Sequence, residues 1–542
     1  MTVCSNTTSV TCKDASKALL PGTRPGGRAA VWLCVGSVTV SVALRILYLG
    51  QPWRVDLSVP PAFLAAEGIV GLMARHILAG ARPVFYYGQY YMGALEAYLA
   101  AGLFRAFGPS VTTLRLAPTL FAVAWIPLTA GIAGRLYGRR AGFLAAALVA
   151  LPSQFVFEWG FRAWGHVPHV TMLLLTLYLL VRVLQQKSRA LVAALGFVTG
   201  FSLWVNQLAL GYVAVYVYAL WAWVALRRKE VALLLVAGLL GLLPLLYGNV
   251  THPLSTARNL ASKARASWRL SATRAGGAEV GQGRVTHAMP LLQVLGAQSR
   301  ADGTWSVAGS LASLFLVLGT VGSARRACSL RGRDAVGFRC ALLVLASAGL
   351  TLAVGVEGFF GQPVGRYQLV LYPLLCVLAA GWLDQIVPRA APLVVGLIAL
   401  GQAVQLLSPI PAAGRTAPAA VVAALERHGL SRGYGADYMY DLIFLSGERV
   451  IIDPLGYSRY RPYQSAVAQA NHIFYLYRSD QVRKVTHRVF MTYLADAGIR
   501  YRRFDVGQYH VLFDFEPPGR LSAQAIAGIR QQIRRRKEKT AP

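Results

Sequence analysis

Long apolar segments alternate with short polar ones through the first three quarters of the chain. Several of them approach the roughly 20 residues that an α-helix needs to cross the hydrocarbon core of a membrane. The pattern predicts a polytopic α-helical membrane protein with about eleven transmembrane helices. These lie near residues 30–49, 113–134, 141–157, 168–186, 190–206, 208–226, 231–247, 305–324, 338–356, 367–386 and 391–409.

Basic residues between the predicted helices indicate their orientation. If the N-terminal tail, residues 1–29, is cytoplasmic, every short loop on the same side carries Lys or Arg, as the positive-inside rule requires. We therefore predict a multi-pass protein of the cytoplasmic (inner) membrane with a cytoplasmic N-terminus. This orientation places residues 50–112, 157–167, 248–304, 357–366 and everything after 410 outside.

The first outer loop, residues 50–112, is large and carries two further helical patterns near residues 62–80 and 90–107. We expect these helices to lie in the interface plane with their apolar sides toward lipid. A second outer loop, residues 248–304, is rich in arginine. Both loops belong to the predicted transmembrane domain, residues 30–409.

The composition changes after residue 410, where apolar segments become short. Residues 410–542 are predicted to form a small extracytoplasmic α/β domain that ends in a basic, mobile tail. The predicted helices are 418–428 and 486–498, and the predicted strands are 449–453, 471–477, 500–505 and 509–514.

Composition agrees with a membrane protein and excludes some other classes. Only 14% of residues are charged and 55% are hydrophobic, whereas soluble domains carry about 25% charged residues. The net charge of +32 would suggest a nucleic-acid partner in a soluble protein. Here the charge is dispersed among the membrane flanks, so nucleic-acid binding is disfavoured. The six cysteines lack zinc-ligand spacing, and neither disulfides nor a cysteine metal site are expected.

Two carboxylates follow the first predicted span. Asp56 and Glu67 are the acidic residues between that span and Glu96. A carboxylate beside the outer membrane surface could act as a general base on a hydroxyl acceptor. Either residue could equally cap a helix or face water.

Several polar residues fall near the predicted outer ends of spans. An isolated arginine in such a place commonly snorkels to the lipid headgroups, whereas several converging on one face suggest an anionic ligand such as a lipid phosphate. Glu158 and two nearby histidines could bind a metal, although a polar loop lining a cavity is the favoured interpretation and no metal is predicted. The residues are Arg75, His76, Gln89, Arg115, Glu158, Arg162, His166, His169, Asn206, Gln207 and Arg366.

The order of these features resembles one known superfamily. The segments that carry the likeness are "EGIVGLMARHILAGARPVFYYGQYYMGALEAYL", "FGPSVTTLRL", "FSLWVNQLAL", "GRYQLVLYP" and "YGADYMYDLIFLSGERVI". They are similar to the GT-C superfamily of integral-membrane glycosyltransferases, in particular to bacterial proteins of the protein O-mannosyltransferase and aminoarabinose-transferase type (glycosyltransferase family 39-like).

The resemblance implies transfer of a sugar from a polyprenyl-phosphate donor to an acceptor hydroxyl on the outer face of the membrane, usually with inversion. It implies that the first outer loop supplies the catalytic carboxylate, Glu67 or else Asp56, and that Arg115, Arg366 and Tyr367 bind the donor phosphate. No cofactor is expected, and the acceptor is unassigned. The residues expected to line the substrate site are Arg75, His76, Gln89, Glu96, Glu158, Arg162, His166 and Asn206.

One position departs from the superfamily pattern. Where relatives commonly have Asp-Glu in the first loop, this chain has Ala66-Glu67. Glu67 takes the role of the missing aspartate, Asp56 supplies the carboxylate, or the chain is inactive. Two rival functions follow, a flippase or transporter of lipid or glycan and a non-catalytic scaffold in envelope assembly. A transporter is expected to show inverted repeats or midplane charges, and neither is clear in this sequence.

Overall fold

The computed structural model describes residues 27–50, 62–258, 261, 291–292, 294–295, 307–330, 334–357, 365–407, 418–517, 519 and 521–540. Asp56, the tail up to residue 26 and most of the basic loop 248–304 lie outside the described residues.

Helices dominate the chain up to residue 407. A 3₁₀ turn, Gly365–Gln368, precedes the helix that begins at Leu371. The elements are α1 (Gly27–Gly50), α2 (Ala62–Leu78), β1 (Phe85–Tyr86), β2 (Gln89–Gly93), α3 (Leu95–Phe107), α4 (Val111–Tyr137), α5 (Arg139–Ala150), α6 (Gln154–Trp159), α7 (His166–Gln185), α8 (Arg189–Val205), α9 (Ala209–Trp223), α10 (Arg228–Thr251), α11 (Val307–Leu330), α12 (Ala335–Glu357), α13 (Leu371–Ile386) and α14 (Ala391–Leu407).

Seven of the described helical segments are long and apolar enough to cross a membrane. They are α1, α4, α7, α10, most of α11 and α12, and the segment Gly365–Ile386 that contains α13. Helices α8, α9 and α14 are apolar but shorter. The prediction of a multi-pass helical membrane protein is confirmed, whereas the predicted number of eleven spans is not.

One predicted span is interrupted. The segment 141–157 is divided between α5 and α6 by residues 151–153. Pro152 has no backbone N–H to donate and restricts the residue before it. The Ser153 side chain then accepts a hydrogen bond from the Val156 backbone N–H at 3.4 Å, which begins α6. The break creates a short non-helical segment within the predicted span.

Glycines allow α8 and α10 to pack closely. A Cβ atom on Gly200 would lie 2.0 Å from the Gly238 carbonyl oxygen, and one on Gly241 would lie 2.1 Å from the Phe197 carbonyl oxygen. Small residues at helix contacts are the usual means of close packing in membranes, where apolar side chains gain little by leaving lipid. The opposite side of α10 exposes large apolar residues, as expected of a lipid-facing helix.

The C-terminal part contains a five-stranded mixed sheet with the strand order β4-β3-β5-β7-β6. Strand β3 pairs in parallel with β4 and β5, whereas β7 pairs antiparallel with β5 and β6. The elements are α15 (Pro418–Arg427), β3 (Arg432–Gly435), α16 (Tyr440–Leu445), β4 (Ile451–Pro454), α17 (Arg461–Ala468), β5 (Phe474–Arg478), a 3₁₀ turn (Ser479–Gln481), α18 (Val485–Asp496), β6 (Arg500–Val506), β7 (Tyr509–Glu516) and α19 (Ala523–Thr540).

The basic end of the chain differs from the prediction of a mobile tail. It forms α19, whose Ile526, Ile529 and Ile533 side chains are buried. These residues recur at helical spacing, so the basic residues occupy the outer side of an amphipathic helix. The prediction of a mobile tail was wrong because these isoleucines, spaced among the charged residues, allow the segment to form a helix that packs on the domain.

The first outer loop and the C-terminal domain share one apolar core. Buried residues of α2 and α3, such as Met73 and Phe104, join the same cluster as Phe444 and Phe474. A Cβ atom on Gly68 would lie 2.5 Å from backbone atoms of Tyr440 and Asp441, so α2 and α16 touch closely. The apolar side of α2 is therefore covered by protein, in contrast to the predicted contact with lipid.

Candidate active site

A buried ion pair joins the first outer loop to the helical bundle. Glu67 lies on α2 and is 4% exposed, and Arg115 lies in the early turns of α4 and is 1% exposed. The Arg115 Nη2 atom lies 2.7 Å from Glu67 Oε2, and its Nε atom donates to Oε1 at 3.3 Å. Two parallel hydrogen bonds fix the carboxylate plane relative to the guanidinium. Glu67 is thus held in one orientation.

Three consecutive residues of the loop between α6 and α7 contact three different site residues. The Ala163 backbone N–H donates to Glu67 Oε1 at 3.4 Å, and the Gly165 backbone N–H donates to Glu96 Oε2 at 2.7 Å. Between them, the Trp164 ring lies 4.8 Å below the guanidinium carbon of Arg366. This short stretch places two carboxylates and a cation in one neighbourhood.

Gly165 has a local reason to be glycine. Its φ of +72° lies in the left-handed region, and a Cβ atom there would lie 2.4 Å from the Met92 side chain. Other residues are strained in this conformation. The same residue begins α7 as its N-cap, so the loop turns sharply while its N–H groups point to the carboxylates.

Arg366 is held by aromatic rings. Its guanidinium carbon lies 4.8 Å from the Tyr367 ring centroid as well, and its Nη2 atom donates to the Tyr367 hydroxyl at 3.2 Å. The His166 ring packs edge-on against Tyr367 with centroids 5.5 Å apart. Stacking on π faces orients an arginine while its N–H edge stays available for a ligand.

Arg75 and His76 face the C-terminal domain. The Arg75 guanidinium carbon lies 5.1 Å from the Phe444 ring centroid. His76 Nε2 lies 2.9 Å from Glu448 Oε1, and its Nδ1 lies 3.0 Å from the Tyr87 hydroxyl. The hydrogen bond from His76 is the main cause that lowers the pKa of Glu448. These two predicted lining residues therefore join the two parts of the fold.

The remaining predicted lining residues are distributed around this centre. Glu158 is fully buried and accepts from Gln154 at 2.9 Å, and Arg162 stacks on Trp159 at 5.6 Å. Asn206 is buried at the end of α8, where it bridges to Met92 of β2. Gln89 begins β2.

In the part of the chain that the structure describes, no group of three or more His, Cys, Asp or Glu residues is placed to hold a metal ion. The expectation that the reaction needs no metal stays a prediction.

Solved structures share the fold of this chain. ArnT from Cupriavidus metallidurans, bound to undecaprenyl phosphate, aligns with a TM-score of 0.58 over 88% of this chain and 98% of its own, at 15% identity. The archaeal oligosaccharyltransferase AglB from Archaeoglobus fulgidus, in complex with an inhibitory peptide and a dolichol-phosphate, aligns with a TM-score of 0.50 over 86% of this chain and 70% of its own, at 14% identity.

By sequence, the family described as "Dolichyl-phosphate-mannose-protein mannosyltransferase" matches residues 93–247. The chain is therefore similar to this mannosyltransferase family over that segment, and it shares the fold of ArnT. None of the curated proteins matches it by sequence. The resemblance inferred from the sequence is confirmed by the family match over this segment and by the shared membrane fold, whereas the roles of individual residues stay predictions.

Glu96 is a second buried carboxyl in the neighbourhood of Glu67. Its Oε2 atom accepts from the Tyr86 hydroxyl at 2.8 Å and from Gly165. Burial raises the pKa of Glu96 to about 8, and the charge of Glu67 acts in the same direction. The hydrogen bonds from Tyr86 and Gly165 oppose the shift without cancelling it.

We expect this carboxyl to make the stability of the protein depend on pH. Because the folded-state pKa is raised, its contribution is complete below the unfolded value of about 4.5. It is lost as pH rises toward about 8. The Glu96→Gln variant keeps a carbonyl acceptor for Tyr86 and Gly165 but does not titrate. Its melting temperature should fall less between pH 5 and pH 8 than that of the wild type.

The control for this prediction is Glu426→Gln, which changes an exposed carboxylate paired with Arg449. It should keep the wild-type pH profile. Equal slopes for Glu96→Gln and the wild type would show that Glu96 does not change protonation in this range.

Sequence reasoning missed the residues that the C-terminal domain contributes near the site. Glu448 and Arg459 contact α2 and the β1–β2 turn, respectively. The aromatic and basic segment "GYSRYRPY" at residues 456–463 could have indicated a functional surface. Its composition does not predict that it contacts the β1–β2 turn. Tyr91, two residues after the predicted Gln89, was likewise not predicted as a site residue.

Proposed function

We propose that this protein is a glycosyltransferase that moves a sugar from a polyprenyl-phosphate donor to an acceptor hydroxyl. The observation that carries the proposal is that the Glu67 carboxylate and the Arg366 guanidinium contact successive residues of one loop. A carboxylate base and a phosphate-binding arginine that are held by one short loop suit displacement at a carbon that bears a phosphate. The lipid phosphates bound to ArnT and AglB support a carrier of this class.

The proposed reaction is a single displacement with inversion. Glu67 accepts the proton of the acceptor hydroxyl while the hydroxyl oxygen bonds to the anomeric carbon of the sugar. The bond between that carbon and the phosphate oxygen breaks, and its electron pair leaves with the polyprenyl phosphate. Arg366 stabilises the charge that grows on the leaving phosphate, and Tyr367 orients Arg366 through its hydroxyl.

Arg115 receives a modified role in this proposal. The sequence assigned it to the donor phosphate together with Arg366, and that assignment stays a prediction. The two short contacts of its guanidinium with Glu67 favour a positioning role. Arg115 would hold the carboxylate toward the acceptor while Arg366 meets the donor.

We further propose that the site lies at the outer face of the cytoplasmic membrane, with the N-terminus cytoplasmic and the C-terminal domain outside. The basic inside loops support this orientation. A donor whose lipid chain stays in the bilayer presents its phosphate at the surface, where α2, the β1–β2 hairpin and the loop before α7 meet. The C-terminal domain would help to bind the acceptor.

The test is a turnover assay with purified protein in lipid nanodiscs. Polyprenyl phosphates carrying labelled hexoses or pentoses would be supplied one at a time, with a cell-envelope extract as acceptor. We expect release of carrier phosphate that depends on the acceptor and label that appears in the extract. Flipping of the lipid without release of its phosphate would favour a transporter. Binding of polyprenyl phosphate without turnover of any donor would favour a scaffold.

A further inference from the structure

The C-terminal domain reaches the turn of the β1–β2 hairpin. The Tyr457 hydroxyl donates to the Gly88 carbonyl oxygen at 3.3 Å. A Cβ atom on Gly88, whose φ is +70°, would lie 3.0 Å from Cγ of Arg459. The stem of the Arg459 side chain therefore lies directly against this turn, next to β2 of the first outer loop.

Arg459 and Arg366 are both placed around the β1–β2 hairpin. Arg459 lies against Gly88 in its turn, and Arg366 stacks on Trp164, whose neighbour Gly165 lies against Met92 of β2. The Arg459 guanidinium carbon lies 4.8 Å from the Tyr438 ring centroid, and Arg366 is stacked between Trp164 and Tyr367. Burial raises the pKa of the Tyr91 hydroxyl, and the charges of both arginines act on that hydroxyl in the opposite direction. Tyr91, on strand β2 of the same hairpin, is 7% exposed.

Some of the buried or partly buried arginines in the fold have acidic partners. Arg115, Arg140, Arg478 and Arg530 each pair with a carboxylate. Within the described ranges, neither Arg366 nor Arg459 forms an ion pair, and the Nε atom of Arg366 is buried without a hydrogen-bond partner. Partly buried positive charge is costly without compensation. An anion bound by both guanidinium groups would reduce this cost.

The chemistry of the cluster selects a phosphate group. Planar guanidinium groups match the oxygens of a phosphate with two parallel hydrogen bonds. The hydroxyls of Tyr367, which contacts Arg366, and of Tyr91 on β2 would be uncharged hydrogen-bond donors. A phosphate monoester of a lipid and a free phosphate ion offer the same oxygens, and the position beside the hairpin and the loop before α7 favours the lipid.

We propose that Arg459 of the C-terminal domain, Arg366 and Tyr91 form one anion site that takes the phosphate of the polyprenyl-phosphate donor. The inference rests on the proposed function and extends it, because it makes the C-terminal domain a part of the donor site. Donor binding then depends on the contact between that domain and the β1–β2 turn.

The experiment measures binding of labelled undecaprenyl phosphate to the full-length protein in nanodiscs. We expect Arg459→Gln to weaken binding about tenfold or more, since a hydrogen bond to a charged group is lost, and Arg459→Lys to weaken it less. Arg461→Gln removes an equal charge from an exposed position two residues away and should bind as the wild type does. Melting temperatures verify that all variants are folded.

Two further arms identify the source of the phosphate. Undecaprenol, which lacks the phosphate, should bind equally weakly to the wild type and to Arg459→Gln. Inorganic phosphate should compete with the lipid only at much higher concentration. Equal competition by free phosphate would overturn the assignment to a lipid donor.

The remaining outcomes separate this inference from the function on which it rests. If Arg366→Gln weakens binding but Arg459→Gln does not, the C-terminal domain is not part of the site and the proposed transferase function stands. Equal losses in Arg459→Gln and Arg461→Gln would mean general attraction to positive charge and would overturn the inference. If the wild type does not bind polyprenyl phosphate, both proposals fail.

Discussion

Sugar transfer by the Glu67→Gln variant is expected to fall by a factor of about 10² to 10⁴, the usual contribution of a general base. The amide is nearly isosteric with the carboxylate, and its oxygen can still accept from Arg115 and Ala163. It cannot take the proton of the acceptor hydroxyl at neutral pH. The measurement is the initial rate of carrier phosphate release under saturating donor and acceptor.

Glu426→Gln is the matched control for this substitution, because it removes an exposed carboxylate remote from the loop before α7 and should leave the rate unchanged. Binding of undecaprenyl phosphate by Glu67→Gln verifies that the site is still assembled. A rate within twofold of the wild type would exclude Glu67 as the base and direct attention to Asp56.

The second large effect concerns stability. Arg115→Met is expected to lower the free energy of unfolding by about 3–5 kcal/mol, the usual result of leaving one member of a buried ion pair without its partner. Both side chains are almost fully buried, with relative side-chain exposures of 1% and 5%, so water cannot replace the lost contacts. The measurement is the melting temperature in nanodiscs, together with denaturant unfolding where it is reversible.

A double-mutant cycle distinguishes the ion pair from simple loss of packing. The Glu67→Gln/Arg115→Met double variant should recover most of the lost stability, because no unpaired charge remains in the interior. Arg449→Met breaks an exposed Arg–Glu pair and should cost at most about 1 kcal/mol. If Arg115→Met were no worse than Arg449→Met, the pair would have no structural role.

Some of this arrangement follows from sequence because it depends on neighbouring residues. Apolar length predicts the helices, and alternating patterns predict strands such as β6 and β7 close to their observed bounds. The resemblance to the glycosyltransferases implies that Glu67, Arg115 and Arg366 belong to one site, which the residue pattern alone does not indicate. Strand β3, "RGYG", was missed because it is short and contains two glycines, which favour strands little.

The partners of these residues could not be predicted, because they are set by tertiary packing. The pairing of Arg115 with Glu67, 48 positions earlier in the chain, was not predicted, and the assignment of Arg115 to the donor phosphate stays a prediction. The interfacial position expected for α2 assumed that its apolar side needed lipid. Helix α16 covers that side of α2. Nearly all of the bundle lies between the two helices in the sequence, and no local pattern indicates their contact.

The shared core of α2, α3 and the C-terminal domain has a consequence for biosynthesis. His76 and Glu448, which meet across this core, are 372 residues apart in the chain. The ribosome makes nearly all of the bundle before it makes the residues that cover α2. A nascent chain that has not yet reached α16 cannot complete this neighbourhood, and the apolar side of α2 must until then be covered by something else.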